Sequence, residues 1–183
     1  MTPEDADEAF DQLYRSNYRR LLAKAMVVTG NRLAPAQDAV QDTFEECWKR
    51  LTSEKPPVQN WNAWLAKVVV REALAVAQAG DARREPMERW DEVDVGADPA
   101  FSFDLKEAFR RVCNEARRLA PQRRRALVLR CFGGFSTREV AEMMGISEPA
   151  VRSHVTFARR DLDWVWQDLR AMGVVEGPGG RET

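Results

Sequence analysis

Arg152, Ser153, Thr156 and Arg159 fall at steps of one, three and three residues within SEPAVRSHVTFARR, and together they are equipped to read a polyanion. A guanidinium can give a bidentate pair to a guanine edge or a phosphate. A serine hydroxyl can meet a base or the backbone, and a threonine methyl can touch thymine. Upstream, Arg123, Arg124, Arg125 and Arg130 form a second group suited to phosphates, which fix position without specifying sequence. The formal net charge of −1 conceals this clustering: residues 117–160 carry ten arginines against three glutamates, a balance of +7, which leaves −8 for the remainder. One end is therefore expected to bind a polyanion and the other to do something else.

Other chemistries find few residues to work with. The single histidine, His154, lies in the same stretch, and there is no Cys/His metal spacing, nucleophile elbow or phosphate-cradling loop. No acidic pair stands apart from ordinary helix surface, so the sequence points to no catalysis, no cofactor and no metal. Cys47, Cys113 and Cys131 are odd in number and widely spaced, the pattern of buried free thiols in a reducing compartment. No apolar run approaches the roughly 20 residues that span a bilayer. The acidic start MTPEDADEAF lacks the features of a secretion signal. The expectation is a soluble cytoplasmic protein with no membrane partner.

The elements that must position these residues all read as helices. No stretch alternates like a strand, and the fold class is expected to be all-α, with two small helical domains joined by a flexible linker. In the first domain (1–79) a helix spans about 7–29, with a possible break inside it. Gly30 and Asn31 turn the chain, and a second helix covers 35–51 with Val40, Phe44, Cys47, Trp48 and Leu51 as its apolar stripe. Its polar face carries Asp38, Gln41, Asp42 and Glu45. Pro56 and Pro57 make 52–60 a loop, and Asn60 can cap a third helix over 61–79. Residues 80–101 read as the linker, where Trp90 could dock. Further helices are predicted at about 102–119, 122–132, 136–144 and 147–170, completing a second domain over 102–172. Residues 173–183 read as a disordered tail.

Within that second domain the signals of a helix-turn-helix agree with one another. Ser136 and Glu139 fit a capping box, Gly145 a left-handed helix end, and Ile146 a plug beneath the turn. Ser147 can cap the next helix, with Pro149 tolerated in its first turn. Val151, Val155, Ala158 and Leu162 then form a packing stripe, which turns Arg152, Ser153, Thr156 and Arg159 outward. An outward polar face on a helix held by its predecessor is how a major groove is entered. Trp164, Trp166 and Leu169 extend the last helix as a hydrophobic cap.

Two stretches carry a more specific resemblance. QDAVQDTFEECWKRL followed by NWNAWLAKVVVREAL, and LAPQRRRALVLRCFGGFSTREVAEMMGISEPAVRSHVTFARRDL, resemble the two domains of the extracytoplasmic-function sigma factors of bacterial RNA polymerase. The likeness covers about 10–79 and 106–164. It implies that Asp38, Gln41, Asp42 and Glu45 meet the β′ clamp helices of core polymerase, and that the β flap is a second partner surface. It implies that Asn60, Trp61 and Asn62 face the unpaired minus-ten strand, where bases can stack on aromatics and bond to amides. Lys67 and Arg71 would follow the backbone upstream, and Arg152, Ser153, His154 and Thr156 would face the minus-thirty-five duplex. An anti-sigma partner also belongs to the expectation. His154 and Phe157 stand where the family often has arginine, so weaker autonomous DNA binding is expected. The alternative is a helix-turn-helix regulator that dimerises and binds DNA without polymerase.

Overall fold

A computed structural model describes residues 3–30, 32–81, 114–116 and 118–163, with isolated positions 167 and 170. Helix α1 spans Pro3–Thr29, α2 Leu33–Leu51 and α3 Trp61–Asp81. No break interrupts α1. Ser16 and Asn17 could compete for its backbone, but they bond back to the carbonyls of Gln12 (2.6 Å) and Leu13 (3.1 Å), one turn earlier. Gly30 ends the helix with φ of 71°, a conformation that costs a glycine nothing. Asn31, the other residue expected in that turn, lies outside the described residues.

The three helices pack around Leu21, Leu22, Met26, Val40, Phe44, Cys47, Leu65, Val69 and Ala73, all buried. Thr43 sits fully inside and satisfies its hydroxyl on the Ala39 carbonyl at 2.7 Å. The loop between α2 and α3 is braced by Arg50, which donates to Ser53 Oγ (3.1 Å) and to the Pro56 carbonyl. Asn60 caps α3 as its position predicts, its Oδ1 accepting from the Ala63 N–H at 3.0 Å. Helix α3 runs on through Asp81, two residues into the stretch read as linker. The rest of that stretch, with Trp90, and most of the helix predicted at 102–119, with Cys113, lie outside the described residues.

In the C-terminal half, α4 (Pro121–Leu127) continues into a π-helical turn over Val128–Phe132. Helix α5 spans Thr137–Met144 and α6 Glu148–Asp161. The described helix α6 stops where the Leu162 N–H bonds to the carbonyls of Ala158 and Arg159. Trp164, Trp166, Leu169 and the tail 173–183 lie outside the described residues. Ala126, Leu127, Leu129, Phe132, Val140, Val151, Val155, Ala158 and Leu162 fill this half's interior.

The two halves do not stand apart. The π turn lies against α1 and α3, and the buried residues of both halves form one contiguous apolar cluster. Polar contacts seal the seam. Lys24 on α1 is buried and donates to the Phe132 carbonyl at 2.7 Å. Lys67 on α3 pairs with Glu139 on α5 at 2.8 Å and lies 5.1 Å from the centre of the Phe135 ring.

Candidate nucleic-acid interface

The turn between α5 and α6 is built as its residues predict. Ser136 Oγ accepts from the Glu139 N–H (3.2 Å), and Glu139 Oε2 accepts from the Ser136 N–H (2.6 Å), closing the capping box. Gly145 is left-handed (φ 66°, ψ 34°), and the Ile146 N–H returns to the Ala141 carbonyl at 3.1 Å. Ser147 Oγ then accepts from the Ala150 N–H at 3.4 Å and starts α6. Val151, Val155 and Ala158 face inward, with Leu162 just beyond the helix end. Arg152, Ser153, Thr156 and Arg159 are exposed, and His154 is half-buried. Arg152 pairs with Glu148 one turn back at 3.3 Å, an exposed contact that a nucleic acid could displace at little cost.

The arginines divide by environment. Arg123 pairs with Asp161 at 3.2 Å, its guanidinium 5.1 Å from the centre of the Phe157 ring. Arg124 and Arg125 are half-buried, and Arg125 Nε is buried without a hydrogen-bond partner. Arg130 turns towards the protein, donating to the Phe135 carbonyl (3.1 Å) and Thr137 Oγ1 (3.3 Å), and so ties down the link into α5. Arg159 reaches Cys131 Sγ at 3.4 Å. Burial pushes that thiol's pKa up, opposed by Arg159, Arg130 and Lys24. Cys47 is buried, and burial pushes its thiol to about 11. Sequence reasoning missed Arg160. Its spacing of seven from Ser153 places it on the same helix face.

In the N-terminal half, Asn62 is exposed beside the loop, while Trp61 and Trp64 are half-buried and meet edge to face at 5.5 Å. Lys67 is committed to Glu139 and Phe135 across the seam, and Arg71 to Glu72 (2.8 Å) and Glu46. Asp38, Gln41, Asp42 and Glu45 are all exposed along one face of α2. The Asp42 pKa is raised by desolvation and by the neighbouring carboxylates of Glu72, Glu45 and Asp38, against a lowering by Lys49. The face is thus acidic and self-repelling, and a basic surface would relieve it. α6 and Arg123 come together as one surface, through the contacts of Arg123 with Asp161 and Phe157. Among the described residues no group of three or more His, Cys, Asp or Glu could hold a metal ion. No described helix is long and apolar enough to cross a membrane.

Comparison with known proteins follows the same division. Residues 13–78 match the family model "Sigma-70 region 2" and residues 115–162 match "Sigma-70, region 4". The ECF RNA polymerase sigma factor SigM of Mycobacterium tuberculosis is 29% identical over 154 residues, spanning 84% of this chain and 75% of that protein. Among solved structures, the sigma factor RpoE in complex with the anti-sigma factor NepR from Bartonella quintana has a similar fold. Its TM-score is 0.54 at 24% identity, over 87% of this chain and 98% of that one. CnrH in complex with the cytosolic domain of CnrY aligns with a TM-score of 0.51 at 24% identity, covering 88% and 89% of the two chains. With a region 2 bundle leading, a region 4 helix-turn-helix following and a sigma factor as relative across both, the chain belongs to the extracytoplasmic-function sigma factors, which bind RNA polymerase and promoter DNA to initiate transcription.

Proposed function

We propose that the division of labour within this sigma factor follows its charge. The acidic α2 face of Asp38, Gln41, Asp42 and Glu45 docks on the β′ clamp helices of core polymerase, and the second domain meets the β flap. Asn60, Trp61 and Asn62 at the start of α3 receive the unpaired minus-ten strand, with Lys67 and Arg71 following its backbone. Helix α6 enters the minus-thirty-five major groove with Arg152, Ser153 and Thr156 towards the bases, His154 and Arg159 at the flanks. Arg123, Arg124, Arg125 and Arg130 serve the phosphates. For Lys67, Arg71 and Arg130 this requires release from their present partners. The polymerase performs the chemistry, in the cytoplasm, and the chain itself has no enzymatic role.

The observation that carries this reading is the α5–α6 pair, whose capping box and left-handed glycine hold an exposed Arg152/Ser153/Thr156 face clear of the packed core. An anti-sigma partner that covers one of these surfaces also belongs to it, since both structural relatives are described bound to such a chain or to a partner's cytosolic domain. The test is run-off transcription with purified core polymerase over a fragmented genome, with the starts sequenced. Defined starts that share two spaced elements are expected. Starts no different from those of core polymerase alone would overturn the reading.

A further inference from the structure

Phe157 is a large apolar side chain left 37% exposed on a helix whose neighbours there are charged. Its surroundings give it a task. The Arg160 guanidinium lies 5.0 Å from its ring centre, and that of Arg123, arriving from α4, lies 5.1 Å away. Asp161 joins the group, 3.2 Å from Arg123 and 3.9 Å from Arg160. Two cations therefore share one ring and one carboxylate, which leaves a local charge of +1 at the surface. On a helix turning about 100° per residue, Arg160 lies within about 20° of Ser153, on the outward ridge of α6, with Phe157 roughly 60° further round. The stack thus borders the proposed groove-reading face at its C-terminal end, where a recognition helix leaves the bases and nears the sugar-phosphate backbone.

We propose that Arg123, Phe157 and Arg160 form a phosphate clamp that grips one strand of the promoter duplex without reading its sequence, with Phe157 as the positioning residue. The ring holds two long, flexible side chains in one geometry before the DNA arrives, which lowers the ordering cost of the contact. An arginine at 157 would add a third cation to the pair and repel both. The departure from the basic residue frequent here in the family is thus the feature that organises the two guanidiniums. Asp161 limits their mutual repulsion while leaving the site a net attraction for an anion.

The inference rests on α6 docking at the minus-thirty-five element, and the experiment separates the two. Full-length protein bound to core polymerase is titrated with a fluorescent promoter duplex, with its single-base-pair minus-thirty-five variants, and with a duplex carrying deoxyuridine for thymine, over a range of salt. Phe157→Ala should weaken binding about fivefold, by the same factor on every duplex. Phe157→Trp, which keeps an aromatic face, should restore it. Arg160→Ala should reduce the salt slope by about 0.9, one phosphate contact, and Phe157→Ala should add nothing in an Arg123→Ala/Arg160→Ala background. Unchanged affinity in Phe157→Ala would overturn the clamp. So would a loss confined to one base pair that vanishes with deoxyuridine, which would make the ring a reader of thymine. Full binding by Phe157→Ala alongside loss of sequence preference in Arg152→Ala would sink the clamp alone, whereas no sequence preference in the unaltered complex would sink the docking as well.

Discussion

Arg152 is the residue on which promoter choice is expected to turn. It pairs with Glu148 on the same helix face in an exposed contact, so a guanine edge can take its guanidinium at little cost. Arg152→Ala should weaken promoter binding by the polymerase complex by about 1–3 kcal/mol and relax preference at one base pair. Unchanged affinity on a set of base-substituted duplexes would count against its place in the groove. That Arg152, Ser153 and Thr156 face outward was legible in the sequence, because the stripe of Val151, Val155, Ala158 and Leu162 fixes which side of the helix is buried. The inward turn of Arg130 was not legible. Its type suits a phosphate, and only the fold brings the Phe135 carbonyl and the Thr137 hydroxyl within its reach. Lys67 is a similar case: its partner Glu139 is 72 residues away in the chain.

At the scale of elements, the short α5 depends on its two ends more than on its length. Ser136→Ala removes the cap that accepts from Glu139, and thermal stability should fall by about 1 kcal/mol. Gly145→Ala puts a side chain at φ 66° and should cost a similar amount, with Gly145→Asn costing less. Gly133 differs from Gly145. Its φ is −83°, but an added Cβ would stand 2.7 Å from the Phe135 ring and 3.0 Å from the Leu129 carbonyl. Gly133→Ala should therefore lower the denaturant midpoint by displacing Phe135 from the seam. The helix ends were legible because Ser136, Gly145 and Ser147 each carry a local signal. The π turn was not. ALVLRCF is apolar almost throughout, and no periodicity in so short a run separates a π turn from an α turn.

For the whole molecule the main difference from expectation is the seam. The two helical domains read from charge and loop signals are present, and what those signals did not show is that their buried residues meet in one cluster across α1, α3 and the π turn. Nothing in either half's sequence announces the other, because each amphipathic helix looks complete with its own neighbours. Glu139 joins the two levels, since one oxygen closes the capping box and the other holds Lys67. The Lys67 hydrogen bond, followed by that from the Ser136 backbone, lowers its pKa from 4.5 to about 2. The stabilisation is therefore complete above pH 4.5 and is lost as pH falls towards 2. Glu139→Gln keeps the capping bond but not the ion pair. Its stability deficit should be greatest near neutral pH, about 1 kcal/mol for such half-exposed groups, and should vanish in acid. Urea titrations of both proteins across that range would check it. A deficit independent of pH would assign the loss to the cap.

Lys24 gives the joint its character. An ammonium group pressed onto a peptide oxygen sits within an otherwise apolar joint, and once parted both of these groups are at home in water. Whatever larger machine parts the two bodies must therefore cover the oily remainder of the joint, while water takes care of this one polar pair.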